Sequence, residues 1–131
     1  MTDALWLPAP AREAILAHAL HCWPEECCGL LAGDSATAVR FVYPLTNAEH
    51  SPVSFTIEPS EHYGALRHAE RNEWELIGAF HSHPGGSARP SATDVERAAE
   101  PEWAWLIVSR GEIRGFRIAH RTVVEIEVVS A

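Results

Sequence analysis

The chain has 131 residues, 47% of them hydrophobic, and ten basic against eighteen acidic side chains give it a formal charge of −8. That length and apolar content suit one folded domain, residues 1–131, able to bury its own core without disulfide or metal staples, so a metal in it would serve function. The acidic balance and the lack of a dense Lys/Arg cluster exclude a surface that tracks phosphates, and with it nucleic acid as a partner.

No run approaches the eighteen apolar residues of a membrane span, and no basic, then apolar leader opens the chain. Cys22, Cys27 and Cys28 do not form the even, spaced framework of a small secreted protein. The expectation is a soluble cytoplasmic protein with reduced, largely buried thiols and no membrane partner.

In chain order, "LPAPAREAILAHALHCW" predicts a helix from near Pro10, with Ile15, Ala19 and Cys22 on one face and Leu16 and Leu20 widening it. Pro24 ends it by disfavouring helical geometry at Trp23. "CCGLLAG" and "AVRFVYPL" read as strands joined through Gly33, Asp34 and Ser35. A polar loop from Asn47 leads to "VSFTI", an edge strand or ordered arm. Ser60 is placed as the cap of a helix running to Asn72, with Tyr63, Leu66 and Ala69 toward the core. "WELIGAF" is a buried strand that Pro84, Gly85 and Gly86 stop. A short helix from Ser91 to about Glu100 follows, and then "WAWLIVS", "IRGFRIA" and "TVVEIEVV" as strands, the first two joined around Arg110 and Gly111. Helices interleaved with strands in this order predict an α/β fold, a mixed β-sheet flanked by helices.

The chemistry concentrates in "GAFHSHPGGSARPSATD", residues 78–94. Alternate residues of a strand share a face, so His81 and His83 emerge together, and Asp94 returns from the following helix. Two imidazoles and a carboxylate suit zinc and leave a fourth position for water, whose pKa the ion lowers from about 15.7 to roughly 7. Ser91 and Asp94 also fit a helix cap and an acidic first turn, and one hydroxyl serving both cap and catalysis is a conflict to resolve. Such a water needs a proton acceptor; Glu26, between Pro24 and the apolar strand, is the candidate, and Glu25 is its competitor. A thiol nucleophile at Cys27 or Cys28 is the rival enzyme class, although no base and orienting partner can be picked for either.

The pattern His81, Ser82, His83, seven residues, Ser91, two residues, Asp94, joined to upstream "HCWPEECCGLLAG", resembles the JAMM, or MPN-plus (Mov34/MPN/PAD-1), zinc metalloprotease family, in particular small prokaryotic members that resemble sulfur-carrier-protein hydrolases. The resemblance implies a JAMM/MPN fold of cytidine-deaminase-like architecture, His81, His83 and Asp94 as zinc ligands, Glu26 as proton shuttle, and Ser91 as hydrogen-bond donor to the oxyanion. Relatives that lose these ligands serve as non-catalytic scaffolds; retention of the full set favours an enzyme.

By the same resemblance, the substrate is an amide or isopeptide bond after the C-terminal glycine of a ubiquitin-like sulfur-carrier protein with a Gly-Gly tail, with cysteine as a released product. The alternative is a broader isopeptidase of deubiquitinase or desampylase type. Asn47 and the strand containing Phe55 are placed along the tail, whose glycines would pass a narrow groove. Arg89 offers a cation to a carboxylate, or simply solubility. Trp103 and Trp105 are assigned to packing, and homo-oligomerisation is left open.

Overall fold

The computed structural model describes residues 3–130. Seven strands form one sheet in the order β1-β7-β6-β5-β4-β2-β3. They are β1 (Ala4–Trp6), β2 (Cys28–Gly33), β3 (Phe41–Leu45), β4 (Glu75–Ser82), β5 (Ala104–Ser109), β6 (Glu112–Ala119) and β7 (Thr122–Val129); the helices are α1 (Ala9–Cys22), α2 (Pro59–Arg71) and α3 (Ala92–Arg97). β4 and β5 pair in parallel, as do β1 and β7, and the other pairs are antiparallel. The sheet is therefore mixed and flanked by helices, as the alternation of elements requires. No helix among the described residues is long and apolar enough to cross a membrane.

Two apolar layers sandwich the sheet. Under α1, Ile15 packs with Cys27, Leu31, Phe80, Leu106 and Val108. On the other face, Ala65 and Ala69 of α2 meet Leu30, Ala32, Tyr43 and Ala79. A bulge in the β2–β4 ladder near Leu31 puts Leu76 on the α2 face although His81, five residues later, shares that face. Strict alternation would separate them. Gly78 lets β4 approach β5 closely, because a Cβ there would stand 2.2 Å from the Ala104 carbonyl oxygen.

Several elements differ from the sequence expectations. β1 has no counterpart among the expected elements: three residues carry too little alternation to read, and the strand exists because β7 pairs with it. "VSFTI" is no strand, with one isolated bridge between Asn47 and Ile57. α2 is capped by Glu58, whose carboxylate accepts from the Glu61 amide at 3.0 Å, rather than by Ser60. Its buried side is Ala65 and Ala69, while Tyr63 and Leu66 are exposed; only small residues fit where helix and sheet meet this closely. In α1, Leu20 is 80% exposed and does not widen the buried face. α3 stops at Arg97, ahead of Glu100, where the following Pro101 disfavours helix. Pro44 sits inside β3, which tolerates it as an edge strand.

Candidate metal centre

The site lies where β4 leaves the sheet. His81 is almost fully buried at the end of that strand, and His83 follows it on the same face. α3 then brings Asp94 back in its first turn. His81 Nε2, His83 Nε2 and Asp94 Oδ2 form a triangle with every edge 3.1 Å.

With both imidazoles neutral, hydrogen bonds cannot satisfy all three edges of this triangle. His83 Nδ1 donates to the Ser87 carbonyl at 2.8 Å, which in the neutral ring leaves Nε2 a lone pair aimed at the other two atoms. A lone pair facing a carboxylate at 3.1 Å is repulsive unless a proton or a metal ion lies between them. A tetrahedral zinc ion with bonds of about 2.0–2.1 Å would set its ligands about 3.3 Å apart, so the donor set fits zinc in type and spacing. Among the described residues, these three are the one group of His, Cys, Asp or Glu converging tightly enough to hold a metal.

The electrostatics follow the same geometry. Burial pushes the Asp94 carboxyl up, but hydrogen bonds with His81 and His83 overcome it and hold the group far below the usual carboxylate range. The bond to Asp94 raises His83, whereas burial lowers His81 and favours its neutral form. A neutral His81 and an ionised Asp94 are forms a metal binds, while His83 gives up its proton when an ion enters.

Ser91 resolves its conflict of roles. Its Oγ accepts from the Asp94 amide at 3.1 Å while its own amide donates to Asp94 Oδ2 at 2.9 Å, a reciprocal capping box. Capping uses a lone pair of the hydroxyl, and the O–H proton remains free to donate elsewhere. The same box fixes the Asp94 oxygen that faces the histidines.

Glu26 is 4% exposed. Cys28 pairs with His81, and the Cys27 and Ser82 backbones bond at 3.1 Å, so the antiparallel ladder sets Glu26 across from His83. Alternation turns Cys27 toward α1 and Glu26 toward the face of the histidines. Burial raises its carboxyl from 4.5 to about 7, with His83 pulling it down and Asp94 pushing it up. Glu25, partly exposed, instead faces His50 at 3.3 Å. The rival thiols are poor nucleophiles, since burial pushes Cys27 and Cys28 up to about 12.

A cleft of about 350 Å³ runs from His81 and Asp94 along the α2 face, walled by Phe55, Ile57, Trp103 and Trp105. Phe55 stacks on the His81 ring at 4.6 Å. Asn47 does not face this cleft with free groups. Its Nδ2 donates to the Glu26 and Ser54 carbonyls and its Oδ1 accepts from the Glu49 and Thr56 amides, so its hydrogen bonds hold the loop together. Arg89 is exposed and outside the cleft lining. Sequence reasoning missed His18, whose Nε2 lies 2.9 Å from the Leu45 carbonyl and joins α1 to β3. It also missed Arg97, which ties the loop to α3. Neither carries a motif that would have marked it.

A mixed sheet that delivers two imidazoles from one strand end and a carboxylate from the next helix, with a buried acid across the ladder, defines a metal-dependent hydrolase of α/β class. The chain belongs to the JAMM, or MPN-plus, metalloprotease family: the model described as prokaryotic homologs of the JAB domain matches residues 8–119. It is 40% identical over 114 residues to a desampylase of Haloferax volcanii, covering 82% of each chain. It is 36% identical over 127 residues to a CysO-cysteine peptidase of Mycobacterium bovis, covering 92% of this chain and 87% of the relative. A solution structure of a Desulfitobacterium hafniense protein, 37% identical, superposes with a TM-score of 0.87 over 97% of this chain and 92% of that one.

Proposed function

We propose that this chain is a zinc-dependent hydrolase that cuts the amide or isopeptide bond after the C-terminal glycine of a ubiquitin-like sulfur-carrier protein, with cysteine as a released amine. The observation that carries the reading is the 3.1 Å triangle of His81, His83 and Asp94 with Glu26 placed across from it. The relative named a CysO-cysteine peptidase supports the choice of bond. A second reading, a broader isopeptidase, is favoured by the relative named a desampylase.

His81, His83 and Asp94 would hold the zinc, which supplies a Lewis acid and a more acidic water near neutral pH. Glu26 accepts a proton from the attacking water and returns it to the leaving amine, a task suited to a group near 7. Ser91 donates its free O–H to the carbonyl oxygen as negative charge builds there. Phe55 and the apolar walls of the cleft take the carrier's tail, and the Gly-Gly end allows close passage. Asn47 acts on the tail only through the loop it shapes. The whole operates as one catalytic domain of deaminase-like architecture, in a reducing cytoplasm where Cys22, Cys27 and Cys28 stay thiols.

Intact-mass analysis of a defined carrier–cysteine conjugate, incubated with zinc-loaded wild type and with Glu26→Gln, tests it. Release at the terminal glycine by wild type and its loss in the variant are expected. Efficient cleavage of a carrier–lysine isopeptide with no action on carrier–cysteine would transfer the conclusion to the second reading.

A further inference from the structure

The two histidines of the triangle are held by different means. His83 is oriented by a hydrogen bond from Nδ1 to the Ser87 carbonyl at 2.8 Å. His81 Nδ1 is buried and has no partner among the described residues, although the side chain is 2% exposed. A ligating imidazole whose second nitrogen is unbonded has no hydrogen bond to fix its plane, and such outer bonds ordinarily set ring orientation. The contact that meets the His81 ring face to face is Phe55, with centroids 4.6 Å apart and planes inclined by 25°.

Phe55 lies on the irregular loop between β3 and α2, and a half-buried loop side chain can brace a ring only if its backbone is fixed. Arg97 fixes it. Its Nη1 donates to the Phe55 carbonyl at 3.0 Å and to Glu49 Oε2 at 3.3 Å. Glu49 in turn accepts from Ser54 at 2.6 Å and from Thr56 at 2.5 Å. Arg97 stands one turn after Asp94 on α3, so the helix that contributes one corner of the triangle also anchors the brace on another.

We infer that Phe55 is a positioning residue for the metal centre: its stack on His81, tied down by Arg97, replaces the missing hydrogen bond at Nδ1. The inference rests on the zinc reading above and adds to it that the cleft's wall and the metal's affinity are coupled through one ring. Loosening the loop weakens metal binding without touching a ligand.

The test is zinc affinity by competition with a chromophoric chelator, together with the melting temperature of metal-free and zinc-loaded protein. Phe55→Ala should weaken zinc about threefold to tenfold, the scale of one aromatic pair. It should lower the metal-free melting temperature by a few degrees and the zinc-loaded one by more, so that the gain on adding zinc narrows. Phe55→Tyr, which keeps the ring, should restore wild-type affinity. Arg97→Ala should weaken zinc by less, and the double variant should bind no worse than Phe55→Ala alone, since Arg97 acts through Phe55. Zinc affinity unchanged in Phe55→Ala, or additive losses in the double variant, would overturn the inference while leaving the zinc reading intact. A wild-type protein that binds no zinc would overturn both.

Discussion

Glu26 and His83 stand opposite each other two steps beyond the last pair of the β2–β4 ladder, Cys28 with His81, and at the step between Ser82 Oγ accepts from the Cys27 amide at 2.8 Å. Fifty-seven positions of chain separate them, yet the pairing leaves little freedom in where Glu26 can point. Replacing it by Gln keeps size and position and removes the carboxylate proposed to accept the proton. Turnover should fall about 10²- to 10⁴-fold, while one zinc per chain remains bound. Kinetics paired with metal analysis check this, and a variant that loses metal and activity together would mean that Glu26 supports the ligands instead.

Ser91 caps α3, and substitutions can separate that role from the proposed donation to the oxyanion. Ser91→Ala removes the cap, at a cost of about 1 kcal/mol, and also the hydroxyl proton; Ser91→Gly removes the proton but costs the cap only a few tenths. If the hydroxyl stabilises the oxyanion, kcat should fall about 10²- to 10³-fold in both variants. Thermal melts should then set Ala below Gly while their rates agree. Rates that track the melting temperatures would assign Ser91 to structure alone.

The thiols should be bystanders. Cys27 and Cys28 are fully buried and pushed up to about 12, so almost no thiolate exists near neutral pH. Cys28→Ala should keep kcat within about threefold while destabilising the fold by roughly 1 kcal/mol for the lost sulfur contacts. Activity abolished in Cys28→Ala but kept in His81→Ala would reverse the assignment of chemistry.

The triangle of His81, His83 and Asp94 was legible because its parts are local. His81 and His83 share a face through the two-residue period of a strand, and Ser91 and Asp94 are three apart at a helix start, a spacing that also writes the capping box. The placement of Glu26 was half legible: its chemistry could be read, but its location depends on which strands pair, which no local pattern states. The loop after Asn47 misled for a physical reason. "VSFTI" has the composition of a strand, but the loop is held by side chains, those of Asn47, Glu49 and Arg97, and takes no ladder. Likewise α2 shows Tyr63 and Leu66 at helical spacing, and the surface they face is solvent because Ala65 and Ala69 suit a close-packed sheet better.

Glu26 should also leave a signature in stability. Burial raises its carboxyl in the folded chain from 4.5 to about 7. Below 4.5 the folded and unfolded chains both hold the proton and the group costs nothing. Between 4.5 and 7 the folded chain keeps a proton that the unfolded chain releases, so stability falls as pH rises; above 7 the folded chain carries the buried charge and the loss is complete. A shift of that size amounts to roughly 3 kcal/mol. In metal-free protein, Glu26→Gln should therefore be more stable than wild type at pH 8 by up to about 3 kcal/mol, and most of that difference should be gone at pH 5. Urea titrations of both proteins at the two pH values, with chelator present, measure it directly. An advantage for Gln that is equal at pH 5 and pH 8 would show that Glu26 is not held protonated by burial, and a general base tuned in this way could not then be the source of the proton transfer.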